Sequence, residues 1–355
     1  MKLVILGNGF DLHHGLKTSF KDFKEWCEKN KDKEFIKKVD DIIKLNSKKG
    51  IQGDIELNWA NIEEKLHHEY LKIELETIEN KINAPEVHDF LLQEDYEELV
   101  DKRNELGRRI GESKSNYTLD EFEELTIEFT KKFDDYLKKE VLNETVNIKL
   151  NPKLQKDLNT ASRVITFNYT DVHKRYNVEK EKLLCIHGNI RDGGYPVIGY
   201  YHEVKEVSKS DDYRKKYNDR LFSKEAVFDR MHGEELLPII REFIYSTKDK
   251  NTSSVIPIKA ISEIVFIGYS IGESDDFVTD FIFENSKKHN SNFAIKNLEL
   301  DVLKVKIYNY NGCFENGEKR IKALLNNKYK IAKITGGGID FLEQPNIVFE
   351  EESYE

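Results

Sequence analysis

Residues 1–15 read MKLVILGNGFDLHHG, and this stretch decides the fold. Residues 3–6 form a continuous apolar run rather than an alternating one, which is typical of a strand buried on both faces of a parallel sheet. Gly7, Asn8 and Gly9 follow at the carboxyl end of that strand. Glycines there let the backbone approach a pyrophosphate, and a following helix offers free N–H groups. The stretch therefore predicts an α/β protein that binds a nucleotide.

The spacing of the glycines narrows the kind of nucleotide site. The G-x-G-x-x-G fingerprint of dehydrogenases needs glycine at position 12, where this chain has Leu12, and the third glycine comes at Gly15. An ordinary dehydrogenase is therefore not expected. A tight strand-to-helix turn without a ligand is the alternative, because such turns also use glycine and aspartate. Asp11 is open to two interpretations, a hydrogen bond to a ribose hydroxyl or a cap of the next helix.

Beyond the opening stretch the sequence pattern becomes helical. From about residue 18 to residue 146, apolar residues recur three and four positions apart among charged ones, as at Trp59, Ile62 and Leu66. These three residues predict a buried helical stripe, and Glu63 beside them is either a solvated charge or a group that folds over the nucleotide site. Breaks divide the block into roughly four helices or helix pairs, near residues 47–53, 83–85 and 111–117.

Strand-like runs return only after the helical block, and helices separate several of them. The runs are residues 163–167, 182–186, 196–200, 263–267, 303–308 and 330–334, and the clearest helices are residues 234–245, 275–288 and 314–325. Such alternation predicts a doubly wound, Rossmann-like parallel sheet with a large all-helical insertion after the first strand. The predicted domains are a core of residues 1–17 and 160–345, a helical insertion of residues 18–159 and an acidic tail of residues 346–355, of which residues 350–355 are expected to be frayed.

Composition excludes several classes of protein. The 56 Lys and Arg residues against 66 Asp and Glu give a formal net charge of −10, so nucleic acid is not an expected partner, although a local patch at residues 214–220 could grip a phosphate backbone. Three distant cysteines, and no expected secretory leader, favour reduced thiols in a cytoplasm. Adjacent histidines at residues 13–14 and 67–68 lack partners for a metal set, and we predict no metal. No stretch approaches the roughly 20 apolar residues that a bilayer requires.

Polar residues follow several of the predicted strands and should meet at one sheet edge, because the carboxyl ends of parallel strands lie together. These residues are Asn168 and Thr170, then His187, and then Gly268, Ser270 and Asp275. Each has a structural explanation when taken alone, such as backbone hydrogen bonding, burial of a histidine or capping of a helix. Together, a histidine, which can serve as an acid or a base, and an asparagine, which can orient hydroxyls, indicate a binding or catalytic site.

The motifs, in their order along the chain, resemble the AbiH family of bacterial phage-defence proteins. They lie at residues 6–16, 59–63, 167–170, 186–188 and 268–270, and the resemblance runs to about residue 283. It implies abortive infection, in which a cell halts its own growth when a phage enters. Besides the nucleotide, a phage-derived trigger and a second copy of the chain are the expected partners.

The same series more distantly resembles the sirtuin-type NAD fold. By that resemblance Asn168 orders the nicotinamide ribose or a water and His187 is the catalytic base. The nucleotide contacts that we predict are Gly7, Asn8, Gly9, Asp11, Gly15, Thr170, Gly268, Ser270 and Asp275. Thr170 stands where sirtuins have aspartate, Lys17 replaces a proline, and a four-cysteine zinc module is missing, so deacylation is not expected.

What the resemblance leaves is hydrolysis of the bond between nicotinamide and ribose. Its oxocarbenium-like transition state needs a firmly held ribose and a base. Two alternatives stay open. One is a nucleotide-binding sensor without catalysis, in which the helical block signals to a partner, and the other is a toxin that targets RNA or DNA.

Overall fold

The structure is a computed structural model of the 355-residue chain. It describes residues 1–46, 59, 62–84, 93–110, 114–188, 190, 196–199, 236–248, 255–257, 261–269, 303–309, 319 and 347–353. The chain divides into two compact units. The sheet unit contains Met1–Ser19, Asp134–Val197 and Phe228–Glu355, and the helical unit contains Phe20–Phe133 and Ile198–Val227.

Among the described residues of the sheet unit, six parallel strands form one sheet, and two further strands form an antiparallel pair. In chain order the strands are β1 (Lys2–Leu6), β2 (Arg163–Thr166), β3 (Leu183–Cys185), β4 (Ser246–Lys248), β5 (Val255–Pro257), β6 (Glu263–Ile267), β7 (Leu303–Asn309) and β8 (Ile347–Ser353). The six-stranded sheet has the order β3-β2-β1-β6-β7-β8, and β4 pairs with β5. The chain therefore builds outwards from β1 in one direction and then outwards from β6 in the other, which is the doubly wound order. The predicted α/β fold class is confirmed.

The helices are short in the sheet unit and longer in the helical unit. In chain order they are α1 (Asn8–His13), α2 (Phe20–Lys29), α3 (Lys33–Leu45), α4 (Ile62–Asn83), α5 (Gln93–Ile110), α6 (Leu119–Tyr136), α7 (Pro152–Thr160), α8 (Val172–Arg175) and α9 (Leu236–Tyr245). The ends of α3, α4 and α5 fall at or next to the predicted breaks. Short turns add a π-helix at Leu137–Val141 and 3-10 helices at Glu144–Asn147 and Lys180–Lys182.

The apolar side chains of the central strands form much of the core of the sheet unit. Residues 3–6 of β1 are completely buried, as a strand covered on both faces requires. Helix α9 contributes Leu236, Ile240 and Ile244, which recur at the four-residue spacing of one helix face. The buried members of this core are Leu3, Ile5, Ile165, Phe167, Ile186, Leu236, Ile240, Ile244, Ile261, Ile264, Phe266, Tyr269, Val305 and Ile307.

A buried carboxylate ties α7 to the sheet. Asp157 of α7 accepts hydrogen bonds from Lys2 Nζ at 2.5 Å, Lys306 Nζ at 3.0 Å and Tyr308 Oη at 2.6 Å. Burial raises the pKa of Asp157, but the hydrogen bonds outweigh burial and hold the pKa below its usual value. The predicted insertion extends to residue 159, whereas residues 134–159 belong to the compact sheet unit, and the Asp157 contacts give one physical reason.

Aromatic side chains form the core of the helical unit. The ring of Phe23 lies 5.8 Å from that of Trp59, 5.3 Å from that of Phe129 and 5.2 Å from that of Phe133, measured between centroids. The indole N–H of Trp59 donates to Asp40 Oδ1 at 2.8 Å, so its polar atom is satisfied. The cluster joins α2 and α6 to Trp59, which lies three residues before the start of α4.

The predicted burial of Trp59, Ile62 and Leu66 is confirmed, although α4 begins at Ile62 and Trp59 lies before it. Trp59, Ile62 and Leu66 are all buried, with at most 1% of their surface exposed. Glu63 between them accepts a hydrogen bond from the backbone N–H of Gly199 at 2.9 Å. Further along, α4 packs against α5 through a second cluster that contains Leu71, Leu75, Ile78 and Leu106.

Two predictions about strands are wrong, and one pair of strands was not predicted. Residues 347–353 were expected to be part of an acidic tail, frayed from residue 350, but they form β8 and pair with β7 in parallel. Acidic residues are tolerated there because an edge strand is held by its backbone groups and often carries charge. Residues 196–199 form no strand, although the sequence predicts one. The short pair β4 and β5 was not foreseen.

Other predicted segments lie outside the described residues. They are the strand of residues 330–334, the helices of residues 275–288 and 314–325 apart from Lys319, the basic patch of residues 214–220, and Ser270 and Asp275. Among the helices that the structure does describe, none combines the length and apolar character needed to cross a bilayer.

Candidate active site

The predicted glycine turn is the start of a helix, and its glycines pack against the end of β6. Gly7 is extended, with φ −117° and ψ 179°, and α1 begins at the next residue. The N–H of Gly7 donates to the Ile267 carbonyl at 3.0 Å, and that of Gly9 donates to the Gly268 carbonyl at 2.8 Å. The ends of β1 and β6 are therefore joined by backbone hydrogen bonds.

This close approach explains why glycine occupies three positions. A Cβ on Gly7 would lie 2.5 Å from the Cα of Tyr269, and one on Gly9 would lie 2.8 Å from the Cα of Gly268. Gly268 has φ +61°, and a Cβ there would lie 2.0 Å from the backbone nitrogen of Phe10. All three glycines thus have a packing role that needs no ligand, and their predicted contact with a nucleotide stays a prediction.

Gly15 ends α1. Its φ is +78°, its N–H donates to the Leu12 carbonyl at 3.0 Å, and the N–H of Leu16 donates to the Asp11 carbonyl at 3.2 Å. These two bonds are the pattern of the Schellman motif, in which glycine adopts the left-handed conformation after the last helical residue. The position of the third glycine is therefore explained by helix termination, and its predicted nucleotide contact is likewise untested.

Asp11 links α1 to the loop that follows β2. It is 1% exposed, and its carboxylate accepts a hydrogen bond from Asn168 Nδ2 at 3.0 Å and another from Thr170 Oγ1 at 2.7 Å. The interpretation of Asp11 as a helix cap is wrong, because α1 begins at Asn8 and Asp11 lies inside its first turn. Two elements that are distant in sequence thus meet at a buried carboxyl group.

The environment of Asp11 suits a group that exchanges protons near neutral pH. Burial raises its pKa from 3.8 to about 7, the hydrogen bonds from Thr170 and Asn168 act in the opposite direction, and the negative charge of Asp171 adds to the rise. A carboxyl group with such a pKa populates both protonation states at neutral pH, which is the requirement for general acid or base chemistry.

Asn168 has a buried oxygen that lacks a partner. The residue is 3% exposed, and its backbone N–H donates to Thr166 Oγ1 at 3.1 Å. Its amide Nδ2 donates to Asp11, whereas its Oδ1 accepts no hydrogen bond from any part of the chain that the structure describes. Buried polar atoms are nearly always paired, so such an oxygen points to a missing donor such as a ligand group.

His187 lies after β3, one residue beyond Ile186, and is 5% exposed. Its ring centroid is 5.0 Å from that of Tyr169 and 5.5 Å from that of Phe167, so two rings of the loop after β2 flank it. The N–H of Val197 donates to the His187 carbonyl at 3.0 Å. The structure therefore brings His187 beside the loop that carries Asn168, while its role as catalytic base stays a prediction.

His14 lies at the carboxyl end of α1, the helix that carries Asp11, and its neighbours could not be predicted from the sequence. Its Nδ1 lies 2.6 Å from the Phe10 carbonyl, which can only accept, and its Nε2 lies 2.6 Å from Tyr176 Oη. The Tyr176 hydroxyl accepts from the Asn151 N–H at 3.0 Å and so has its own proton to donate to His14. Burial lowers the pKa of His14, in agreement with a neutral ring. Only the adjacent histidines and a distant tyrosine were visible in the sequence.

The described residues contain no group of three or more histidine, cysteine, aspartate or glutamate side chains that could hold a metal ion.

Asn8, another of the predicted nucleotide contacts, is exposed, and its Oδ1 accepts a hydrogen bond from Thr18 Oγ1 at 2.5 Å. Of the predicted site residues, the structure thus places Asp11, Asn168 and Thr170 in one cluster with His187 nearby. Ser270 and Asp275 are not among the described residues.

A protein-family model matches most of the chain. The family model described as AbiH, bacteriophage abortive infection, matches residues 3–296, which is more than half of the chain. The predicted family is confirmed by this match. Comparison with curated proteins and with solved structures gave no significant match.

Proposed function

This chain belongs to the AbiH family of bacteriophage abortive infection proteins, and we propose that it halts the infected cell by binding NAD and hydrolysing the bond between nicotinamide and ribose. Its role in abortive infection follows from the family. The chemistry and the substrate are the proposal, and removal of NAD, on which central metabolism depends, would suit growth arrest.

The observation that carries the proposal is the buried cluster of Asp11, Asn168 and Thr170 beside His187. It lies at the carboxyl edge of a doubly wound parallel sheet, where proteins of this fold class bind nucleotides. The cluster includes a carboxyl group with a pKa of about 7 and an asparagine oxygen with no partner among the described residues. Both features are typical of sites that bind and transform a ligand.

The proposed reaction uses water as the second substrate. Asn168 orients a hydroxyl of the nicotinamide ribose or the attacking water, and the water oxygen adds to the anomeric carbon. The carbon–nitrogen bond breaks as nicotinamide leaves with the bonding electrons, and the proton of the water passes to His187. The products are ADP-ribose, nicotinamide and one proton. Correct placement of the ribose and a base is the main requirement of such a reaction.

The backbone around the first turn limits how a pyrophosphate can bind. The N–H groups of Gly7 and Gly9 are already used in bonds to the end of β6. In this proposal other groups of the site hold the pyrophosphate.

The test is to incubate the purified protein with NAD, alone and with a phage lysate, and to measure nicotinamide release. We expect release from the wild type under at least one condition and a decrease of about 10²- to 10⁴-fold in His187→Ala, the usual range for loss of a general base. His13→Ala is the matched control, because it removes a histidine of α1 that is only partly buried. Wild-type release no greater than that of His187→Ala in both conditions would exclude the proposed chemistry.

A sensor without catalysis is the second candidate, and the burial of His187 and Asp11 favours it. With 5% and 1% of their surfaces exposed, these residues are poorly accessible to an incoming water. The sensor predicts nucleotide binding and phage protection that both survive His187→Ala. Calorimetry and plaque counts with that variant therefore separate the two candidates.

A further inference from the structure

The side-chain amide of Asn168 is fixed in one orientation by its neighbour. A carboxylate can only accept hydrogen bonds, so Asp11 requires the NH₂ group of Asn168 on its side, where Nδ2 lies 3.0 Å from Oδ1. The reverse orientation would bring the Asn168 oxygen against a negatively charged oxygen. The ionised form of Asp11 therefore turns the acceptor atom of Asn168 away from itself.

Asp11 is itself held firmly. Its second carboxylate oxygen accepts from Thr170 Oγ1 at 2.7 Å, and its own carbonyl accepts from Leu16 N–H in the motif that ends α1. The beginning of the same helix is fixed by the bond from Gly9 N–H to the end of β6. The carboxylate is therefore a stable reference point for the orientation of Asn168.

We propose that Asp11 is a positioning residue that presents Asn168 Oδ1 as a hydrogen-bond acceptor to a ribose hydroxyl of the ligand, so that the sugar, and not the phosphate, is recognised at this point. This inference rests on the proposed function, because it takes the ligand to be NAD. It assigns a specificity role to a residue that does not touch the reacting atoms.

Charge and hydrogen-bond chemistry both favour the sugar. A hydroxyl can donate to Asn168 Oδ1, whereas phosphate oxygens at neutral pH only accept and would leave that buried oxygen unpaired. The negative charge beside this position is the Asp11 carboxylate when it is ionised, whereas Asp171 has Lys174 Nζ 4.0 Å from its carboxylate. The ionised Asp11 would repel a phosphate, while a neutral hydroxyl would not be repelled.

The experiment measures binding of NAD and of its analogues that lack the 2′- or the 3′-hydroxyl of the nicotinamide ribose. Calorimetry is carried out in the His187→Ala background, so that NAD is not consumed. The His187→Ala protein is the parent of the other variants. We expect the parent to bind NAD with an affinity about tenfold or more above that for at least one analogue, the usual effect of leaving a buried acceptor unpaired. Asp11→Asn and Asn168→Ala should each reduce that preference to about threefold or less. Asp135→Asn is the matched control, because it makes the same change at a side chain that is 59% exposed and lies outside the cluster, and it should keep the preference.

A second measurement does not depend on the folding of a variant. Protonation of Asp11 removes the reason for a single amide orientation, and its pKa of about 7 places this change near neutral pH. The parent should therefore prefer the hydroxylated ligand more strongly above pH 8 than below pH 6, both values being about one unit from that pKa.

The outcomes separate the inference from the function. An equal preference in the parent and in Asp11→Asn, unchanged across pH, would overturn the positioning role of Asp11 while NAD binding still stood. Equal affinity of the parent for NAD and both analogues would overturn recognition of the ribose by Asn168. No binding of NAD to the wild type or to the parent would overturn the proposed function and this inference together.

Discussion

Replacement of Asp11 by asparagine should change how the stability of the protein depends on pH. In the wild type, burial raises the pKa of this carboxyl group from 3.8 to about 7. Because the pKa is higher in the folded state than in the unfolded chain, the contribution of Asp11 to stability is fully present below pH 3.8 and is lost as the pH rises to about 7. Each pKa unit corresponds to about 1.36 kcal/mol, so the loss is on the order of 4 kcal/mol. The asparagine of the variant cannot ionise, so the variant does not undergo this loss.

The assay is urea unfolding followed by circular dichroism, for both proteins, at a series of pH values between about 4 and about 8.5. The difference in unfolding free energy should shift by about 4 kcal/mol in favour of Asp11→Asn across this range, whatever its value at the acidic end. Asp135→Asn is the control, since the Asp135 side chain is 59% exposed and should not show this shift. Parallel stability curves for the wild type and Asp11→Asn would show that the Asp11 carboxyl group does not carry a raised pKa in the folded state.

Three further substitutions test packing and hydrogen bonding. Gly9→Ala would place a Cβ 2.8 Å from backbone atoms at the end of β6. We expect urea denaturation to show that the unfolding free energy falls by about 1–3 kcal/mol. Gly107 lies on a helix with open space around its Cβ position, so Gly107→Ala should raise the unfolding free energy by about 0.5–1 kcal/mol. Asp157→Asn should cost about 1–3 kcal/mol near pH 7, because it removes the carboxylate that pairs with the partly buried Lys2 and Lys306. The cost should disappear as the pH falls through the lowered pKa of Asp157. Tyr176→Phe removes the hydroxyl that donates to His14, and we expect the thermal midpoint to fall with a loss of about 1–3 kcal/mol.

The fold could be predicted largely because its central strand carries a clear signal. Residues 3–6 are apolar at every position, which a strand buried on both faces requires, and the change to a helical period at residue 18 marks the insertion. The last strand, β8, could not be predicted in the same way. Its carboxyl half is rich in glutamate, and only its position at the edge of the sheet makes that composition compatible with a strand.

The candidate site could be predicted only in outline. The rule that parallel strands end at one edge was sufficient to group the loop of Asn168 with that of His187. The partners of Asp11 were not visible, because Asn168 and Thr170 lie 157 and 159 residues further along the chain. The glycines were assigned to a ligand for a similar reason, since nothing local indicates that Gly9 meets the end of β6.

The geometry of the turn at Gly7–Gly9 restricts which groups can bind the pyrophosphate of a nucleotide. In doubly wound sheets a pyrophosphate commonly binds where the strand order reverses, and backbone N–H groups there donate to it. In this chain the reversal lies between β1 and β6, and the N–H groups of Gly7 and Gly9 are bonded to the end of β6. Under the proposed function, side chains contribute to recognition of the ligand, with Asp11 of α1 supplying a carboxylate and Asn168 after β2 supplying an acceptor. Such a pair selects hydroxyl groups, so discrimination between sugars should exceed discrimination between phosphates.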